Sequence, residues 1–96
     1  MSTIIPLEKK ELPEDCFVFK HSTTCPVSAR AANEVRNAEA NAQVFWVNVI
    51  EQRPISNWIE ERFAVKHESP QLLQIRQGEV VESWSHGKIS AACLGG

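Results

Sequence analysis

The feature that most constrains this chain is AQVFWVNVI, residues 42–50, a nearly continuous apolar run rich in Val, Phe, Trp and Ile. A strand with one wet face alternates apolar and polar residues. A strand without that alternation is covered on both faces, as parallel strands are. Parallel neighbours need a crossover connection, so a strand and a helix must lie close by in the sequence. Both stand just upstream. CFVFK, residues 16–20, is a short run of strand formers behind the breaker cluster Leu12-Pro13-Glu14-Asp15. PVSARAANEVRNAEA, residues 26 to about 40, holds Val27, Ala31, Val35 and Ala38 at spacings of four and three, which suits a helix with one apolar face. Pro26 fits the first helical position, where its missing N–H costs nothing, and Asn41 is a stop. The resulting βαβ unit takes a right-handed crossover, so its two strands are parallel.

Arg53-Pro54 then breaks the chain. ISNWIEERFAV, residues 55–65, puts Ile55, Trp58, Ile59 and Phe63 on one helical face, with Ser56 as a candidate cap. QLLQIRQ, residues 71–77, is a short strand, Gly78 a turn, and EVVESWS, residues 79–85, an alternating strand. That pair is an antiparallel hairpin. His86-Gly87 ends it, and ISAAC opens a last short helix. The class is α/β, a mixed sheet with helices on both faces. For the first fifteen residues a strand and a helix both stand as readings.

Ninety-six residues make one domain, residues 1–96. Ten basic and twelve acidic residues leave a net charge of −2, which argues against nucleic acid as a partner. No stretch has the apolar length of a membrane span, and MSTIIPLEKKELPED lacks the basic start and apolar core of a secretory signal. A cytoplasmic location without a membrane partner is the expectation. The three cysteines are odd in number and widely spaced, unlike a disulfide framework or a zinc knuckle. No metal and no bound cofactor are expected.

Cys25 stands out among the three. It follows the first strand and precedes the first helix, where free backbone N–H groups and the positive end of the helix dipole meet. Such an address favours the thiolate and lowers a cysteine pKa from about 8.5 toward roughly 3.5–7.5. Ser22, Thr23, Thr24 and Ser28 flank it with small polar side chains, and Lys20 and His21 add positive charge. The plainer reading is an inert, buried small hydrophobe. The helix-start position with Pro26 favours the reactive one.

The unit Phe19-Lys20-His21-Ser22-Thr23-Thr24-Cys25-Pro26-Val27-Ser28 resembles the thioredoxin superfamily, and Lys66-His67-Glu68-Ser69-Pro70 stands where that superfamily carries a cis-proline. Over residues 16–88 the chain is similar to the monothiol bacilliredoxins, the YtxJ-type general stress proteins. The resemblance implies a thioredoxin-like fold with a mixed four-stranded sheet in the order 4-3-1-2. It implies Cys25 as the nucleophile, supported by Thr24, Pro26 and Ser28, the last standing where dithiol relatives have a second cysteine. It implies a substrate site at Ser69, Pro70, His86 and Gly87, with the Ser69 backbone offered to an extended chain. The implied reaction removes a low-molecular-weight thiol, bacillithiol in that family, from S-thiolated client proteins. The thiol is then a co-substrate and not a bound group. Glutathione remains an open alternative thiol.

Cys16 begins the first strand, and nine residues of mostly extended chain separate it from Cys25 by up to ~30 Å. A disulfide needs Cα atoms roughly 4.4–6.8 Å apart, so Cys16 is expected to be structural. Cys93 is expected near the start of the last helix at the active-site end, either packed in the core or acting as a resolving thiol. Trp46 and Trp58 are core candidates and Trp84 a partly exposed one. His67 and His86 read as solvated loop residues or as ligands to the small thiol. Gly87 marks a simple turn or a close approach to ligand. Glu60-Glu61-Arg62 reads as a solvated helix face. Two other function classes compete: a non-catalytic binding or redox-sensing module, and an iron–sulfur-binding monothiol glutaredoxin-like protein. Pro26 weighs against the last, whose motif usually has Gly after the Cys.

Overall fold

The computed structural model describes residues 3–22, 26–38 and 42–94. Its elements run β1 (Thr3–Pro6), β2 (Cys16–His21), α1 (Pro26–Arg36), β3 (Gln43–Asn48), α2 (Arg53–Phe63), β4 (Gln71–Arg76) and β5 (Glu79–Ser85), followed by 3-10 turns at His86–Lys88 and Ala91–Leu94. The sheet has five strands in the order β1-β3-β2-β4-β5. The four expected strands keep their expected order. The sheet of four is corrected to five by β1, which extends β3 in parallel through Thr3↔Gln43 to Pro6↔Trp46. β2 and β3 are parallel, β2 and β4 antiparallel, and β4 and β5 antiparallel.

Side-chain alternation divides the core into two layers. Phe17 and Phe19 of β2 point with Val44, Trp46 and Leu72 toward α1, which buries Ala31, Ala32 and Val35 against them. Cys16 and Val18 point the other way with Val47, Leu73 and Ile75, against Ile59 of α2. Both faces are covered, which is why the apolar runs of β2 and β3 are nearly continuous. Complete burial of a side chain such as Phe19 or Ile59 stabilises the fold by about 1.5–3 kcal/mol.

Three boundaries differ from expectation. α1 ends at Arg36, short of residue 40. α2 begins at Arg53, not Ile55, with Pro54 inside its first turn, where a missing N–H is harmless, so Arg53-Pro54 starts the helix. Ser56 therefore lies within α2 and is buried; Gln52 holds the cap position. The last helix is replaced by the two 3-10 turns, the second of which lies along α1, where Ala91 N–H reaches Glu34 Oε1 at 3.3 Å. The hairpin turn Gln77-Gly78 has positive φ at both residues, 52° and 77°, the primed geometry that matches strand twist.

Candidate active site

Lys20, Gln71 and Ser85 are register partners across β2, β4 and β5. The residues that follow Lys20 and Ser85, and the one that precedes Gln71, therefore share one end of the sheet. His21, Ser22, Pro70 and His86 meet there. Cys25 and Thr24 lie outside the described residues. The elements that bracket them are defined. Ser22 donates its backbone N–H to Ser28 Oγ at 3.2 Å, so the end of β2 is tied to the first turn of α1. Ser28 is buried at 1% exposure, while Pro26 and Val27 before it are exposed. The hydroxyl at the second motif position is thus engaged inside the fold, accepting an amide.

The Ser69–Pro70 peptide bond is cis. Pro70 is buried, and its carbonyl accepts the His86 N–H at 3.0 Å. The cis-proline segment and the His86-Gly87 turn are therefore joined. The Glu68 carboxyl is held below its usual value first by a hydrogen bond from Ser85 and also by the nearby His86 charge, a second tie between the same two segments. Of the expected site residues, Pro26, Ser28, Ser69, Pro70, His86 and Gly87 come to this end of the sheet.

The structure adds detail to several of these residues. Gly87 lies in a turn where a Cβ would meet no atom within 4 Å, and His86 carries the left-handed backbone at φ 53°. His67 is an exposed loop residue, as expected, and it is also anchored: its Nδ1 lies 3.4 Å from Ser56 Oγ, and its backbone N–H donates to Glu60 Oε2 at 2.5 Å. Glu60 is accordingly not part of a merely solvated face. His21 packs among aromatic rings. It stacks on Phe19 and meets Trp46 edge-on, and burial first, then the Arg36 charge, holds its pKa below the usual imidazole value. Arg36 itself covers the Trp46 ring at 4.8 Å.

Lys20 turns away from solvent altogether. It is fully buried, its Nζ 3.4 Å from the Ser56 carbonyl, and burial lowers its pKa to about 8 despite the opposing pull of Glu60. Sequence reasoning gave it only as a positive charge near Cys25. The available signal was parity: Lys20 follows Cys16 and Val18 on the α2 side of a strand covered on both faces. Gln71, its partner on β4, is also buried and was not singled out.

The other thiols separate as well. Cys16 is buried, and desolvation, with Asp15 adding to it, pushes its pKa up to about 11. Cys93 is half-buried at the flank of the β4–β5 hairpin, in a cleft lined by Gln74, Glu82 and Trp84. Gln74 and Glu82 pair three rungs below Gln71 and Ser85. The expected placement of Cys93 at the active-site end is thereby corrected. Its Sγ lies 3.5 Å from the Lys88 carbonyl and packs beside the α1-side core. Among the described residues, no three His, Cys, Asp or Glu side chains form a metal-holding group, and no helix is long and apolar enough to cross a membrane.

The family model described as "Monothiol bacilliredoxin BrxC" matches residues 3–94. The chain belongs to the monothiol bacilliredoxin family. Solved structures agree on its fold. One, whose description gives it a thioredoxin fold and provisionally an oxidoreductase role, is 32% identical with a TM-score of 0.86, covering 97% of this chain and 91% of that one. Trxlp from Edwardsiella tarda EIB202 is 21% identical with a TM-score of 0.68, over 96% and 94% of the two chains. Thioredoxin from Aeropyrum pernix is 15% identical with a TM-score of 0.62, over 82% and 68%. These last two share the fold. For this bacilliredoxin, family and fold together carry a thiol-redox role.

Proposed function

We propose that this bacilliredoxin is a monothiol thiol–disulfide oxidoreductase that removes bacillithiol from mixed disulfides on client proteins, with Cys25 as the nucleophile. The observation that carries the reading is the single sheet end shared by the start of α1, the cis Ser69–Pro70 segment and the His86 turn. Ser28 supports the monothiol route, because its buried hydroxyl cannot exchange with a disulfide.

The Cys25 thiolate attacks the small-thiol sulfur of a client mixed disulfide. A new S–S bond joins Cys25 to that sulfur, the old one breaks, and the client leaves as a thiolate that takes a proton from water. A second molecule of the small thiol then attacks the adduct. It releases the symmetric small-thiol disulfide and returns Cys25 as a thiolate. No net electrons pass to the protein over the cycle. Thr24 and Pro26 shape the turn that presents the sulfur. The Ser69 backbone receives the client chain as an added strand, and His86 and Gly87 border the small thiol. S-thiolated proteins and the small thiol are its partners, and the cytoplasm its place of work.

Intact mass spectrometry after incubation with a bacillithiol-modified peptide tests this reading. It expects one small-thiol adduct on Cys25, a freed peptide, and neither in Cys25→Ser. Peptide release that persists in Cys25→Ser contradicts it, and a preference for the glutathione-modified peptide replaces the proposed thiol.

A further inference from the structure

Lys20 is a buried ammonium with no part in thiol exchange, and its surroundings point to one. Its Nζ lies 3.4 Å from the carbonyl of Ser56 in α2. The Ser56 hydroxyl lies 3.4 Å from His67 Nδ1, and Glu60 of the same helix accepts the His67 N–H. Across the sheet, Lys20 is paired with Gln71, whose Nε2 donates to the Lys66 carbonyl at 3.0 Å. The loop is thus fastened at residues 66 and 67 on one side of Ser69–Pro70 and at residue 71 on the other. These ties run through three residues around Lys20: Ser56, whose carbonyl faces its Nζ, Gln71, its register partner, and Glu60, whose charge acts on it.

An ammonium has three N–H donors, and burying one with so little compensation is costly. Gln71 Oε1 is likewise buried without a hydrogen-bond partner among the described residues. A leucine or methionine would fill such a site at lower cost. We propose that Lys20 is a positioning residue, whose ammonium holds α2 and the α2–β4 loop in register so that an extended client chain can lie along Ser69 and Pro70. This rests on the function proposed above, in which that segment receives the client.

The charged neighbours of Lys20 are Glu60 from α2 and His67 from the loop, with Arg53 and Glu68 acting on His67 in turn. Its sheet partners Val47 and Gln71 do not titrate. Because Lys20 titrates at about 8, the hold weakens in mildly alkaline solution. His67 is pushed below its usual imidazole range by burial and by Lys20, so its own titration is separate.

The test compares wild type with Lys20→Met by three readouts across pH 7 to 9.5. The amide NMR shifts of His67, Glu68 and Ser69 are expected to titrate with a midpoint near 8 in wild type and to stay flat there in the variant. KM for a bacillithiol-modified peptide is expected to rise about threefold to tenfold in the variant at pH 7, with kcat within about twofold. Wild-type KM is expected to climb toward the variant's above pH 8, and alkylation of Cys25 by iodoacetamide to be unchanged by the substitution. Wild-type amides that show no titration near 8 overturn the inference whatever the activity. So does a variant with wild-type KM and the same pH profile. A wild type that titrates as expected yet never releases the peptide overturns the proposed function, and the client-binding role of Lys20 falls with it.

Discussion

Ser28 Oγ accepts the Ser22 backbone N–H at 3.2 Å, so the chain is bridged across residues 23–27, the stretch that includes Cys25. In a dithiol relative the residue at this position is a second sulfur that finishes the reaction. Here it is a fixed acceptor for the strand-to-helix turn. Ser28→Ala is expected to cost about 1 kcal/mol, the net value of one such bond, and to leave peptide release slowed by no more than several-fold. Denaturant melts and turnover assays check both. Turnover as low as that of Cys25→Ser would assign Ser28 a chemical role.

Lys20 and Cys16 give alkaline stability a definite shape. Lys20 has its pKa lowered from 10.5 to about 8, so between those values the unfolded chain binds more protons and stability rises with pH. Cys16 has its pKa raised from 9.0 to about 11, so above 9 the folded chain holds more protons and stability falls. Wild type is expected to gain stability from pH 8 to 9 and then level off as the two effects oppose. Lys20→Met is expected to lose the rise and keep the fall. At pH 7 it is expected to be more stable than wild type by about 1–2 kcal/mol, as buried charges replaced by apolar groups often are. Urea melts at each pH decide this, and a destabilised Lys20→Met at pH 7 would mean that the ammonium is well compensated.

Ala64 closes α2 in the left-handed region, with φ 54°. Glycine adopts that conformation without a Cβ penalty and is the usual residue there. Ala64→Gly is expected to stabilise the fold by about 1 kcal/mol or less, because relief of the left-handed penalty of roughly 1–2 kcal/mol is partly offset by glycine's larger loss of chain freedom. Thermal unfolding checks it, and an unchanged or lower Tm contradicts it.

Cys16 and Cys93 are expected to differ in reactivity. Cys16 is buried with a raised pKa, so it is expected to alkylate only as the protein unfolds, while half-buried Cys93 labels in the native state. Peptide mapping after timed alkylation separates them. A Cys16–Cys25 disulfide within one oxidised monomer would be incompatible with the strand that carries Cys16.

Much of the fold was legible because periodicity marks burial. The continuous apolar runs of β2 and β3 announced a sheet covered on both faces, and the alternation of β5 after Gly78 announced a hairpin. β1 was not legible, since TIIP is only four residues long and its hydrogen bonds come from β3. The site was read through the Cys25-Pro26 and Ser69-Pro70 neighbourhoods, whose chemistry is local. Lys20 escaped because a lysine at a strand end usually reaches water. Its burial depends on α2 and the loop before β4, which lie more than thirty residues further along the chain.

The most direct measurement is the rate of Cys25 alkylation as a function of pH, in a variant with Cys16 and Cys93 replaced by alanine. A sulfur set before α1 as proposed predicts a midpoint well below the value of about 8.5 for a free thiol. A midpoint at or above it, with no small-thiol adduct at neutral pH, would contradict the account.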